Sequence, residues 1–436
     1  MMTHYRIQGP AELSGTFQPA GNKNAALPII AATLLTTEPV HLENVPDIQD
    51  VRTLLVLLES LGVEVEWSGP NELDICTGGM EEPQLDAELA RKIRGSILLA
   101  GPMLARFGSI ELPTPGGDFI GRRRLDTHFL ALRALGAEVE VGDGYRLRTS
   151  GLSGTSVFLD EPSVTGTENA ILAAVTAPGV TRLRNAAAEP HVQDLCRFLV
   201  TLGAQIEGIG THYVTIEGVD SLSGGSHRIG PDHIEIGSLI GLAASTGSSL
   251  RIADVEPMIF DPIRVGFQRL GVEFEWRDGM LEVLGSAALE VQPDVGNQIP
   301  KIDDGPWPAF PADLTSIALV TATQCRGTVL IHEKMFESRM FFVDKVVGMG
   351  ARIVLCDPHR AVVVGPSPLH GARLESPDIR AGMAMLIAAL AAEGESFIYN
   401  IRQVERGYEH IDARLRGLGA EIERVSGEDE AKDAEP

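Results

Sequence analysis

Aromatic side chains make up only 5% of this chain, and its 36 Lys and Arg are outnumbered by 60 Asp and Glu, a formal net charge of −24. So little aromatic surface argues against a platform for stacking single-stranded nucleic acid. The negative balance argues against a protein that grips phosphate backbones. Cysteine is scarce as well: Cys76, Cys196, Cys325 and Cys356 lie far apart and form no CxxC pair, which argues against a disulfide or zinc framework and suits a reducing compartment. No uncharged apolar stretch is long enough to span a bilayer, and the start MMTHYRIQGPAELSG lacks a charged-then-apolar signal pattern. A cytoplasmic protein without membrane or nucleic-acid partners is expected. No P-loop or GxGxxG fingerprint occurs, so neither ATP nor a nicotinamide cofactor is indicated. His128 and His191 have no HxxxH or Cys companion and read as structural or surface residues; no metal and no cofactor is expected.

What the chain does have is repetition. At 436 residues it exceeds what one hydrophobic core usually serves, which predicts two domains. A phrase of Leu or Met, then Gly, then a strand-like run recurs as LGVEVEW, LGAEVEV, LGAQIEG, LGVEFEW, MGARIVL and LGAEIER. Its glycines (Gly62, Gly136, Gly203, Gly271, Gly350 and Gly419) are spaced roughly 67 to 79 residues apart. Each follows a helix-period stretch and suits a left-handed helix C-cap. Between these phrases lie helix-length runs of small apolar residues: AALPIIAATLL, GSILLAGPMLA, AILAAVTA, IGSLIGLAAS, LTSIALVTA and AGMAMLIAALAA. Helices apolar nearly all round should be buried, whereas the amphipathic helices before each Gly should lie at the surface. One unit thus reads strand, buried helix, strand, loop, surface helix, Gly, strand.

Six units divide as three and three, predicting two similar α/β domains, each of sheet around a core of parallel buried helices. A single α/β solenoid is the alternative. The initial YRIQGPAELSG reads as a strand and turn that can join the C-terminal half. The acidic end from Ser426 onward, residues 426–436, reads as a disordered tail.

Parallel buried helices would share one face of N-termini, where unpaired N–H groups and helix dipoles attract anions. The basic residues of this acidic chain fall there or in the loops after the second strand of each unit: Lys23, Arg94, Arg123, Arg339, Arg380 and Arg406. Arginine forks suit phosphates and carboxylates. Asp232 and Asp378 equally suit plain N-caps.

The motifs GNKNAALP, PGGDFIGRRRLDTH, PAFPADL, FESR, PDIR and ERGYEHID, spaced from about Tyr5 to Glu423, resemble those of the UDP-N-acetylglucosamine 1-carboxyvinyltransferases. The resemblance implies an enolpyruvyl transferase fold: two inside-out α/β barrel domains, each of three repeated units around buried parallel helices. It implies residues 23–230 for the first domain and 1–22 plus 231–425 for the second. The implied substrates are phosphoenolpyruvate and UDP-N-acetylglucosamine, and the implied reaction is the first committed step of peptidoglycan synthesis. The related 5-enolpyruvylshikimate-3-phosphate synthases share the fold but would show Lys-Ser where this chain has Lys23 and Asn24.

By the same resemblance, Lys23, Arg123 and Arg406 surround the phosphate, and Arg339 and Arg380 the carboxylate, of phosphoenolpyruvate. Asn24 hydrogen-bonds the sugar and the tetrahedral intermediate. Arg94, the run Arg123, Arg124, Leu125, Asp126 and Thr127, the run Glu161, Pro162, Ser163 and Val164, and Met335 hold the nucleotide sugar. Asp313 is the base for the sugar hydroxyl and also meets the sugar. Asp118 stands where the family usually has its cysteine acid, and a turn residue after Pro-Gly-Gly is its bland reading. The loop GRRRLDTH and Thr165, where the family more often has Pro and Gly, leave open a different nucleotide or nucleoside acceptor, or a binder of nucleotide sugars without turnover. Oligomeric state is not legible.

Overall fold

The computed structural model describes residues 3–80, 85–117, 120–286 and 288–426. Its helices alternate between two kinds, as the apolar runs predict. The buried kind comprises α1 (Lys23–Ala32), α3 (Ala100–Phe107), α5 (Val164–Ala174), α7 (His233–Thr246), α9 (Thr315–Ala322) and α11 (Ile379–Ala391). The surface kind comprises α2 (Gln49–Glu59), α4 (Asp126–Ala134), α6 (Pro190–Thr201), α8 (Pro257–Gln268), α10 (Val343–Gly348) and α12 (Ile411–Gly417). In α9 every residue from Thr315 to Ala322 is buried, whereas α2 buries Val51, Leu54, Leu55 and Leu58 and turns Arg52 and Glu59 outward. Burying a Leu or Ile side chain contributes about 1.5–3 kcal/mol, so the stripe on α2 is enough to seat it.

The glycine phrase that ends each surface helix does what its spacing predicts. Gly62, Gly136, Gly203, Gly271, Gly350 and Gly419 all have positive φ, between 83° and 109°. At Gly271 a side chain would also be blocked, since a Cβ would stand 2.5 Å from the Glu290 carbonyl oxygen. Such a position favours Gly over any L side chain.

The chain divides into two compact units. One comprises Gly21–Gly117 and Arg123–Pro231, here the N-terminal unit; the other comprises Met1–Ala20, Asp118–Arg122 and Asp232–Pro436, the C-terminal unit. Among the described residues each holds three sheets, and the sheets share one plan. In the C-terminal unit, Lys301–Asp303 runs parallel to Gly327–His332, which pairs antiparallel with Arg360–Gly365, itself the return strand of a hairpin begun at Arg352–Asp357. The sequence reading missed this return strand, because its alternation is short and carries no glycine phrase of its own.

The sheet nearest the C-terminus has the same order with one substitution. His4–Gly9, from the start of the chain, lies between Gly394–Tyr399 and Glu421–Val425 and fills the return-strand position. In the N-terminal unit the sheet Ser109–Pro113, Gly144–Arg148, Glu138–Val141 lacks the short parallel strand among the described residues.

In the C-terminal unit α7, α9 and α11 touch one another, and each lies on its own sheet. Close approach depends on glycine: a Cβ at Gly241 of α7 would stand 2.4 Å from Ile317 Cγ2 of α9. In the N-terminal unit Gly101 plays the same part, 2.7 Å from the Asn169 carbonyl oxygen of α5. A larger residue at either position would force the helices apart, a change that costs about 1–3 kcal/mol. The run GSILLAGPMLA is not one α-helix: Arg94–Leu99 is a 3-10 turn and the α-helix starts at Ala100. Pro102 explains this, because it has no N–H for the Leu98 carbonyl and its ring crowds that oxygen.

Candidate active site

In the C-terminal unit the starts of the buried helices converge. Asp378 caps α11, accepting from the N–H groups of Arg380 and Ala381, and so places Arg380 on the first turn. Asp232 caps α7 in the same way. Both aspartates are the caps that the sequence allows. Asp313 sits on the 3-10 turn Ala312–Leu314 that leads into α9, and Arg339 opens the turn Arg339–Phe342.

These elements bring Asp313 between two guanidinium groups. Arg339 Nη2 donates to Asp313 Oδ1 at 2.9 Å, while Arg380 donates from Nε at 3.0 Å and from Nη2 at 2.9 Å to Asp313 Oδ2. Arg339 and Arg380 are 3% and 5% exposed, but the Asp313 side chain is 28% exposed. One accessible carboxylate therefore covers two buried cations. Burial works against the charge on each arginine, yet Asp313 and the acids near it outweigh burial and raise both above the ordinary value. Aromatic faces complete the packing: the Arg380 guanidinium lies 5.3 Å from the Tyr408 ring centre, and that of Arg339 4.9 Å from Phe336.

Behind Arg339 is a buried acid, Glu333. Its Oε1 accepts from the N–H groups of Met335 and Phe336, at 3.2 and 3.1 Å, and shapes the loop that carries both residues. Burial pushes its carboxyl up to about 9, opposed by Arg339 and reinforced by Asp304. Met335 is partly exposed, and Arg406 is half-buried and donates to Gln403 at 2.8 Å. Trp307 is buried beside the His233 ring in the loop that leads to Asp313. The segment Ile120–Arg122 docks in this unit through the Ile120 carbonyl, which accepts from Ser338 N at 3.1 Å, and Arg122 N, which donates to Glu337 at 3.2 Å. Asp118 lies outside the described residues.

The N-terminal unit holds the remaining candidates. Asn22 caps α1 and places Lys23 and Asn24 on its first turn. Lys23 is buried and pairs with buried Asp50 of α2 at 2.7 Å. Arg94 Nη2 donates to the Arg123 carbonyl at 2.8 Å. Burial, and then the Arg123 charge, push Arg94 down to about 10. Arg124 is exposed and reaches Asp160 at 2.9 Å, Asp126 at 3.2 Å and Glu161 at 3.8 Å. Leu125 is buried ahead of α4, and Thr127 donates to Asp160 at 2.6 Å. Pro162 and Ser163 follow Glu161; Ser163 caps α5, whose first residue is Val164.

His128 is fully buried and joined to Thr165 Oγ1 and Asn169 Nδ2, each at 2.9 Å. Burial, reinforced by Arg94, pushes it down to about 3. Among the described residues no group of three or more His, Cys, Asp or Glu could hold a metal ion.

Within one unit, then, Asp313, Arg339 and Arg380 meet; within the other, Arg94 and Arg123 adjoin, and Arg124, Thr127 and Glu161 gather around Asp160. Sequence reasoning missed Asp50, Asp160, Glu333 and Tyr408. Asp160 had a local signal, since it precedes Glu161 in LDEPSV, and so had Tyr408, which stands in the motif ERGYEHID; Asp50 and Glu333 had none.

Comparison with known proteins supplies the family. Residues 7–415 match the EPSP synthase (3-phosphoshikimate 1-carboxyvinyltransferase) family. The chain is 60% identical over 421 residues to the UDP-N-acetylglucosamine 1-carboxyvinyltransferase of Bradyrhizobium diazoefficiens, covering 97% of this chain and 98% of that one. It is 56% identical over 422 residues to that of Treponema denticola, covering 97% and 99%. In fold it is similar to the enolpyruvyl transferase NikO from Streptomyces tendae, with a TM-score of 0.86 at 23% identity over 97% of this chain and 99% of that one. It is likewise similar to an EPSP synthase from Acinetobacter baumannii, with a TM-score of 0.75 at 17% identity over 97% and 100%. No helix among the described residues is long and apolar enough to cross a membrane. An acidic chain with arginines gathered at its helix starts is thus an α/β enzyme of the enolpyruvyl transferases, and it belongs to the UDP-N-acetylglucosamine 1-carboxyvinyltransferase family.

Proposed function

We propose that this chain transfers the enolpyruvyl group of phosphoenolpyruvate to the 3-hydroxyl of the GlcNAc in UDP-N-acetylglucosamine, with release of phosphate, as the cytoplasmic first committed step of peptidoglycan synthesis. The observation that carries the reading is Asp313 held between Arg339 and Arg380. Two buried cations under a single accessible carboxylate form a site that a second carboxylate can share. When phosphoenolpyruvate brings that carboxylate, the guanidinium groups turn to it and Asp313 loosens. It is then free to take the proton of the sugar hydroxyl as general base. The arginines stay charged throughout and stabilise the anionic intermediate.

Lys23, Arg123 and Arg406 are assigned to the phosphate, and Asn24 to the sugar and the tetrahedral intermediate. Arg94, the run Arg123–Thr127, Glu161–Val164, Asp313 and Met335 are assigned to the nucleotide sugar. Asp118 is assigned as the acid that protonates the methylene carbon. A carboxylic acid serves there if a share of it stays protonated, which burial and a neighbouring phosphate favour. The barrel reading, three units around parallel helices in residues 23–230 and three in 1–22 plus 231–425, belongs to the same proposal.

Phosphate release on mixing the purified protein with phosphoenolpyruvate and UDP-N-acetylglucosamine tests the reaction. Silence with this sugar but turnover with another acceptor would move the reading to the altered nucleotide loop. Binding without any turnover would leave a nucleotide-sugar binder. For Asp118 the check is an epoxide that alkylates the family's usual cysteine: the native chain should stay unlabelled and D118C should become labelled, because the thiolate is the far better nucleophile. Rapid labelling of Asp118 itself would refute the assignment.

A further inference from the structure

Two buried carboxyl groups lie behind Arg339, and neither belongs to the chemistry just described. Asp304 and Glu333 are 1% and 0% exposed. One oxygen of each is satisfied: Asp304 Oδ1 accepts from Lys334 N at 2.5 Å, and Glu333 Oε1 from Met335 and Phe336 N–H groups. The other two oxygens, Asp304 Oδ2 and Glu333 Oε2, have no donor. Yet the two side chains stand in hydrogen-bonding contact. Two ionised carboxylates so placed would repel in a dry site, whereas one proton between them satisfies both orphaned oxygens.

We propose that Asp304 and Glu333 share one proton and act as a positioning pair, holding the loop of Met335 and Phe336 and leaving the charge of Arg339 to face Asp313 and the substrate carboxylate. The geometry supports the second part. Arg339 Nε is 3.6 Å from Glu333 Oε2, beyond hydrogen-bonding reach, while its Nη2 is fully engaged with Asp313 at 2.9 Å. An ionised Glu333 would draw that guanidinium back. The other charges around the pair are already committed. Lys334 and Lys301 reach Asp303, at 2.5 and 2.9 Å, and the His359 ring bonds the Glu333 carbonyl at 2.8 Å. Asp378 and Arg380 also act on Arg339, in opposite senses. The burial that pushes Glu333 up to about 9 keeps the proton in place at neutral pH.

The positioning role rests on the proposed reaction; the shared proton does not. The experiment therefore has two arms, on E333A, E333Q, D304N and the parent chain. In the first, E333A raises KM for phosphoenolpyruvate about tenfold or more with a smaller change in kcat, and E333Q, isosteric with the protonated acid, returns KM to within about threefold of the parent. In the second, stability is measured by urea unfolding against pH. A glutamate raised when folded is neutral there and ionised when unfolded, so stability falls as pH rises from about 4.5 to about 9 and is flat above. E333Q should lose that decline, and D304N should narrow it, because without the Asp304 charge and hydrogen bond only burial holds the proton on Glu333. E333Q as impaired as E333A, or parallel pH curves for the parent and both amide variants, would overturn the proposal. A parent chain without turnover would refute the reaction, and the pH arm would then decide the acid pair alone.

Discussion

Both units place cations at the starts of buried segments, and Lys23 of the N-terminal unit is paired with Asp50, but the arginines of the two units are held in opposite ways. In the C-terminal unit Arg339 and Arg380 are almost completely buried and share a counter-ion, Asp313, so their charge is reinforced. In the N-terminal unit Arg94 is set against Arg123, and burial together with that neighbour works against its charge. The first arrangement stores an anion site already filled by the protein; an incoming carboxylate must displace or share. The second sets two like charges side by side, one of them, Arg94, disfavoured by burial. Compensation ties the one pair into the fold, whereas Arg94 holds its charge against burial and a like-charged neighbour.

Breaking the shared counter-ion should have the largest effect. Asp313→Asn keeps the shape but removes both the base and the charge between two guanidinium groups, and kcat should fall on the order of a thousandfold, read by phosphate release. An Asn variant with more than a tenth of the parent rate would remove Asp313 from the chemistry. The next step is to make one substitution in both units. Arg380→Met takes a partner from Asp313 and from Tyr408, and should destabilise by about 2–3 kcal/mol in urea unfolding while raising KM for phosphoenolpyruvate. Arg94→Met removes a charge that burial disfavours, and should be neutral or stabilising by about 1 kcal/mol, partly screened by solvent, while raising KM for the nucleotide sugar. If both substitutions destabilise alike, the contrast between the units fails.

How much of this the chain reveals by itself follows from the range of each interaction. The glycine phrases and the apolar runs are local, and a left-handed C-cap or a helix buried on all sides is encoded within a dozen residues; all six glycines and all six helices were legible. Arg339, Arg380 and Asp313 were legible as candidates because charged residues stand out at helix starts, but their meeting was not, since Asp313 and Arg380 are joined only by tertiary packing. The same holds for the partners that went unseen. Asp50 meets Lys23 from the next helix, Asp304 meets Glu333 from just past the strand Lys301–Asp303, and an acid inside an acidic chain carries no local mark. The 3-10 turn Arg94–Leu99 was misread although Pro102 signals it, because apolar periodicity is blind to a missing N–H.

The smallest expected effect tests whether the altered nucleotide segment has a physical reason. Asn169 Oδ1 accepts from Gly101 N at 2.8 Å, which fixes its amide, so Nδ2 donates to His128 Nδ1. The His128 proton is then on Nε2 and points to Thr165 Oγ1. Glycine at 165 would leave that buried N–H without an acceptor, so Thr165 and a neutral His128 act together beside Arg94. Thr165→Val should cost about 1 kcal/mol in urea unfolding at neutral pH, and Thr165→Ser close to nothing, because only the serine keeps the acceptor. Because His128 is held below its unfolded value, folded stability should also decline as pH falls from about 6.5 toward 3, and His128→Gln should lack that decline. Equal losses for the valine and serine variants would mean that shape at position 165 matters and the hydrogen bond does not.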